Sequence, residues 1–198
     1  TIKETRMPTP NHAALEFLLT RRSRPAKTLT GPAPDRDALQ PILTAAARTP
    51  DHGKLEPWRF IVLEGPALTR IADAAETFGS AQGRDADAIR KARSQFADSP
   101  LCVAVIESPK ESPKVPVLEQ TYSAGAACLA LLNAALASGW GANWLTGWLS
   151  EDRAFVEGEL GLLPHERVVG FVHIGTETSA PPERPRPDLD AIVSWVSE

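Results

Sequence analysis

The sequence predicts a mixed α+β fold, and three observations lead there. Three apolar runs, "WRFIVLEG" at 58–65, "LCVAVIE" at 101–107 and "VVGFVHIG" at 168–175, have the length and content of buried strands. Longer stretches with apolar residues at helical spacing separate them. No GxGxxG follows a strand and no GxxxxGK[ST] occurs, so the dinucleotide-binding and P-loop forms of a parallel sheet lack their fingerprints.

Each element has its own local reason. Asn11 or a neighbour can cap a first helix, in which Leu15, Leu18 and Leu19 fall at helical spacing before the cluster Arg21-Arg22-Ser23-Arg24. A Gly/Pro-rich linker over 29–34 leads to Asp35 and Asp37, either of which caps a second helix through Leu39, Ile42, Leu43 and alanines 45–47, with Pro41 close to its start. After the strand at 58–65 a helix is expected from Pro66 to about Phe78. Residues 79–97 are polar and charged, and read as a mobile lid carrying a short helix. A Pro/Lys surface loop over 109–116 follows the second strand.

The stretch 119–139, "EQTYSAGAACLALLNAALASG", is apolar on nearly every side, which implies a helix buried all round. Gly139, Gly141 and Gly147 then break up "GWGANWLTGW", and Ser150, Glu151 and Asp152 start a helix that ends near "GLLP". The Pro-rich tail closes with an apolar piece that can form a strand or a helical turn.

Composition narrows the function. With 198 residues, 42% of them hydrophobic, the chain can bury one substantial core, and one domain over 1–198 is expected. A net charge of −4 argues against a nucleic-acid binder, which needs a basic excess to displace counterions from phosphates. Residues 1–12 lack the order of a signal peptide, and the longest apolar run, about fourteen residues, is too short to span a bilayer. Cys102 and Cys128 sit in a strand and a helix, with no disulfide framework. These features imply a cytoplasmic protein.

Three motifs are candidate sites. In "RRSR", 21–24, the cations can simply sit solvated at a helix C-terminus, or two guanidiniums and a hydroxyl can clamp a phosphate through charge-assisted hydrogen bonds. "RTPDHGKLEPWRF", 48–60, is stiffened by two prolines and hinged at Gly53. It has no GxSxG nucleophile for a hydrolytic triad, and the four histidines are scattered without HExxH or CxxC, so metal chemistry is unsupported. Asp51 reads as an Asx-turn cap. "GWGANWLTGW" is either an unusual turn with tryptophans in the core or a backbone cradle for a flat ligand.

In this order the pieces resemble the nitroreductase family of FMN-dependent oxidoreductases, in particular its small single-domain members. The resemblance runs through "RRSR", "ILTAAARTPDHGKLEPWRFIVLEG", "KVPVLEQTYSAGAACLALLNAALASGWGANWLTG" and "VVGFVHIGT". It implies a central, mostly antiparallel sheet flanked by helices, in an intertwined homodimer with FMN at the subunit interface. Carried over by motif, it sets Arg21, Arg22 and Ser23 at the FMN phosphate and the ribityl and pyrimidine edge. Arg48 and His52 then reach FMN from the partner subunit, and Trp144, Leu145 and Thr146 line the flavin. Arg186 stands where larger relatives place a basic residue on the phosphate. Pro25 interrupts the usual spacing, so Arg24 or Lys27 supplies the remaining cation.

The implied activity is FMN-dependent NAD(P)H oxidation with nitroaromatics, quinones or similar flat acceptors, by ping-pong hydride transfer through flavin N5. The flavin carries the chemistry, so no catalytic side chain is assigned, and NADH or NADPH is the co-substrate. The resemblance also admits a relative dedicated to one metabolite, or a non-enzymatic FMN-binding module.

Overall fold

β3 (Cys102–Glu107) is buried at every residue, and that fact organises the rest of the molecule. The computed structural model that shows it describes residues 9–198; of the stretch 1–12 read against a signal peptide, the first eight residues lie outside the described part. β3 pairs antiparallel with β2 (Trp58–Leu63) on one side and β5 (Arg167–Glu177) on the other. β5 is long enough to pair also with β4 (Gly141–Leu145) and with the two-residue β1 (Leu29–Thr30), again antiparallel.

Side chains alternate across this sheet, so one strand feeds two cores. Cys102, Ala104 and Ile106 pack with α3 (Pro66–Ala81), α4 (Ala86–Ala97) and α7 (Arg153–Leu160). Val103 and Val105 pack with α2 (Arg36–Ala46) and α5 (Val117–Ala137). The two cysteines join different cores on opposite faces and cannot pair; burial pushes both thiols up. α1 (His12–Thr20), α6 (Trp148–Glu151) and α8 (Leu189–Ile192) complete the α-helices among the described residues.

Capping follows the expected chemistry. Asn11 Oδ1 accepts from Ala14 N–H at 3.0 Å, and Asp35 Oδ1 from Ala38 N–H at 2.9 Å. The edge of the sheet away from β1 is tied by two carboxylates. Glu166 takes both Nε and Nη2 of Arg59, at 2.8 and 2.7 Å, and Leu163 N–H at 3.0 Å; the guanidinium holds it down at about 2. Glu107 takes Arg167, its cross-strand neighbour.

The sequence reading is corrected at five places. Residues 79–97 form the end of α3 and most of α4, two helices packed together rather than a mobile lid. Their charges belong to outer faces, as where Arg93 bridges Asp73 and Glu76 of α3. Pro41 is the sixth of the eleven residues of α2, not near its start; it and Asp37, whose carbonyl loses its partner, are both exposed, so water can satisfy that group. "GWGANWL" contributes a strand, β4, where a turn was expected. The helix expected from Ser150 begins at Trp148 and breaks at Asp152 into α6 and α7. α5 is not buried all round: Ala124, Ala127, Cys128, Leu131 and Ala135 face the core, while Leu118, Tyr122 and Leu129 are exposed.

Candidate functional site

Segment 21–25 leaves α1 in an extended conformation and runs along the outer edge of β4, with Arg24 N–H donating to Ala142 O at 2.8 Å, before a 3-10 turn at Ala26–Thr28. Arg21 Nη2 donates to Ser23 Oγ at 3.0 Å, and Arg22 Nη1 reaches the Ser23 carbonyl at 3.5 Å. The tail brings Arg186 to the Arg21 carbonyl at 3.5 Å, with Glu183 as its ion-pair partner at 2.9 Å. Arg24 is already spent on Glu177 at 2.9 Å.

Four guanidiniums and two carboxylates therefore converge, Arg24 paired with Glu177 and Arg186 with Glu183, which leaves Arg21 and Arg22 without an ion-pair partner among the described residues. The Arg21 pKa is lowered, first by burial and then by the positive charges of Arg186 and Arg22. The Nε atoms of Arg21 and Arg22 are buried without a hydrogen-bond partner. Such orphaned donors cost free energy on the order of 1–3 kcal/mol each, which an anion would recover. The adjoining cavity, about 320 Å³, is lined by Thr20, Arg21, Arg22, Trp140 and Gly141 among others.

β4 divides its residues between the two faces. Trp144 lies on the α2/α5 side, its indole over Gly170 and its Nε1 donating to Val169 O at 3.3 Å. Leu145 stands opposite Phe171, and Asn143 opposite His173, on the α4 side. There Leu145 and Thr146 meet two cavities of about 270 and 260 Å³, both lined by Lys91 and Gln95 of α4. Lys27 faces the first, while Trp148 and Phe171 wall the second.

The loop after α2 occupies another place. Asp51 Oδ1 accepts from Leu55 N–H at 2.6 Å, four residues on, so it ties the loop together across Gly53 rather than closing the Asx-turn expected two residues on. Ser123 pins the loop to α5 by accepting from Trp58 Nε1 at 3.1 Å and donating to Pro50 O at 2.9 Å. Gly53 has φ 75°, and Lys54 and Glu56, at φ 55° and 50°, are held in the left-handed region that L side chains avoid. His52 Nδ1 meets Glu119 Oε2 at 2.8 Å, and both His52 and Arg48 are exposed.

Glu119 lies in the first turn of α5, whereas Leu136, near its end, lines the arginine cavity. Seventeen residues of helix separate the two by roughly 25 Å. One chain thus brings together Arg21, Arg22, Ser23 and Arg186, sets Leu145 and Thr146 farther along the same β4 edge, and holds Arg48 and His52 at the opposite end of α5.

The sequence model of the nitroreductase family matches residues 18–176. The chain belongs to the nitroreductase family. It is 41% identical over 163 residues to "Putative NAD(P)H nitroreductase YdjA" of Escherichia coli K12, covering 82% of this chain and 87% of that protein. A Haemophilus influenzae protein, "Putative NAD(P)H nitroreductase", is 36% identical over 166 residues, covering 82% and 88%. Among solved structures, a nitroreductase-like family protein from Bacillus cereus superposes with TM-score 0.76 at 24% identity over 96% of this chain and 99% of the other. The FMN and NADPH-dependent nitroreductase NfnB from sphigopyxis sp. strain HMH superposes with TM-score 0.68 at 22% identity over 93% and 99%. These structures share the antiparallel sheet flanked by helices.

For this nitroreductase-family chain, motif reading missed Lys91 and Gln95. Their signal was present in "DADAIRKARSQFADS", where Ile89, Ala92 and Phe96 mark an apolar helical face and Asp85 caps it by accepting from Asp87 and Ala88 N–H. Lys91 and Gln95, four apart, share a neighbouring face. Among the described residues no group of three His, Cys, Asp or Glu could hold a metal ion, and no helix is long and apolar enough to cross a membrane.

Proposed function

We propose that this nitroreductase-family chain is an FMN-dependent NAD(P)H oxidoreductase, a single domain that acts as a homodimer on nitroaromatics, quinones or similar flat acceptors. The observation that carries the reading is the pair of buried, unpartnered Nε donors on Arg21 and Arg22 beside Arg186, a cluster that fits a phosphate dianion. The ring system would lie along the β4 edge, against Leu145 and Thr146 and the cavities shared by Lys91 and Gln95. When bound, FMN supplies the redox chemistry, taking a hydride from NADH or NADPH at N5 and passing the electron pair to the acceptor in a ping-pong sequence.

The chain's own residues do the binding and the electrostatics. Arg21, Arg22, Ser23 and Arg186 hold the phosphate. Lys27 is the additional cation rather than Arg24, because Glu177 neutralises Arg24, whereas Lys27 faces the ligand cavity with Lys91. Two ammonium groups there, against the single carboxylate of Asp98 on the same wall, leave a positive balance that favours a ligand gaining negative charge. Trp144 supports the β4 edge from behind.

Arg48 and His52 would serve the partner's flavin, which accounts for their distance from their own arginine cluster. Leu15, Leu18 and Leu19 of α1 and Leu118, Tyr122 and Leu129 of α5 are exposed apolar groups of the kind a second copy buries. In support of the reading, the purified protein should be yellow, carry about one FMN per chain, and bleach anaerobically with NADH or NADPH. A colourless protein that takes up no FMN would end the proposal.

A further inference from the structure

A chain of hydrogen bonds runs from the core to the ligand cavity. His173 is 1% exposed, with Nδ1 2.8 Å from Ser99 Oγ and Nε2 3.2 Å from Gln95 Nε2. Ser99 uses its only hydroxyl proton on Leu101 O at 3.0 Å, so its oxygen accepts from His173 Nδ1–H. The other ring nitrogen of the neutral imidazole then carries a lone pair, and the Gln95 amide must turn its NH₂ towards it. Burial favours this neutral ring by pulling the His173 pKa down to about 4.

The consequence lies on the other side of Gln95. With its NH₂ committed to His173, its Oε1 has no protein partner among the described residues, and the side chain lines both cavities beside Leu145 and Thr146. The first cavity therefore offers donors from Lys27 and Lys91 and acceptors from Gln95 and the Asp98 carboxylate; Gln95 is the acceptor that also lines the second cavity, beside Thr146. The pyrimidine edge of an oxidised flavin presents the complement: two carbonyl oxygens flanking an imide N–H, the only N–H of the ring system.

We propose that Gln95 Oε1 accepts from the imide N–H of bound FMN, and that His173 is the positioning residue that aims it. This rests on the flavin reading above. Gln95 lies outside every stretch that carries the family resemblance, whereas His173 falls within "VVGFVHIGT".

The test is titration of the full-length flavin-free protein with FMN and with N3-methyl-FMN, followed by flavin fluorescence. The wild type should prefer FMN by about tenfold or more, and Gln95→Leu should weaken FMN about five- to tenfold while leaving N3-methyl-FMN affinity unchanged. His173→Asn keeps a polar group near the Nδ1 position for Ser99 but loses the Nε2 acceptor, and should behave like Gln95→Leu. His173→Gln, whose side chain reaches the Nε2 position, should restore the preference.

Equal affinity of the wild type for the two flavins overturns the proposal. So does equal weakening of both flavins in Gln95→Leu, which would mark a structural role, or a change only in the KM for reduced nicotinamide. A His173→Asn variant with wild-type preference overturns the positioning role. A wild type that binds neither flavin fails the FMN reading itself, a distinct result.

Discussion

The indole of Trp144 rests directly on the Cα of Gly170: a Cβ built there would lie 1.9 Å from Trp144 Nε1 and 2.4 Å from Cδ1. The contact locks the β4 edge onto β5. Gly170→Ala should therefore cost about 2–4 kcal/mol, since overpacking must expel a ring that is also hydrogen-bonded to Val169. Denaturant unfolding measures this. Adding Trp144→Ala to the Gly170→Ala chain should cost less than Trp144→Ala costs alone, because the clash has already displaced the ring.

That contact also shows what could and could not be read from sequence. β3 and the middle of β5 are legible because burial on both faces forces continuous apolar runs, β2, only half-buried, because its apolar run is bounded by Pro57 and Gly65, and α1, α2, α3 and α5 because their apolar content and end signals are local. β4 is not, because its glycine answers to distant atoms: a Cβ at Gly141 would meet Leu29 Cδ2 at 2.5 Å. α4 was hidden by its charged outer face. In the site, Arg21, Arg22 and Ser23 stand contiguous in the chain, whereas Lys91 and Gln95 approach Leu145 only through the fold.

Arg21 and Arg22 make a second prediction with two opposite signs. Replacing both by Ala should weaken FMN binding at least about a hundredfold, since each charge-assisted contact contributes roughly 1.5–3 kcal/mol. The same change should leave flavin-free stability unaltered or slightly raised, because repulsion among three cations and two orphaned donors disappears. Flavin titration and thermal melting together separate this from a folding defect. FMN retention at wild-type affinity would refute the phosphate assignment.

Stability should fall in two steps on acidification. His173 drops from 6.5 to about 4 on folding. Its neutral form belongs to the folded state, so stability is complete above pH 6.5 and declines as the unfolded chain takes up the proton, levelling off near pH 4. Glu166 drops from 4.5 to about 2, so its contribution is present above pH 4.5 and is lost as pH falls through 2. Each step is on the order of 3 kcal/mol. His173→Asn should flatten the first limb and leave the second; urea unfolding across the pH range reads both.

The position of Arg48 and His52 makes the strongest demand on the dimer. If they serve the partner's flavin, a chain carrying Arg21→Ala and Arg22→Ala and a chain carrying Arg48→Ala and His52→Ala should each retain little FMN. Unfolding and refolding an equal mixture should restore binding, because each mixed dimer contains one site with an intact arginine cluster and an intact loop. Statistical pairing makes half the dimers mixed, so about one flavin should be held for every four chains. Were Arg48 and His52 irrelevant to the flavin, the second chain alone would bind fully and the mixture would hold one for every two. Leu129→Glu on the exposed face of α5 should make the chain monomeric and prevent the rescue, which ties the recovered binding to assembly rather than to trace wild-type protein.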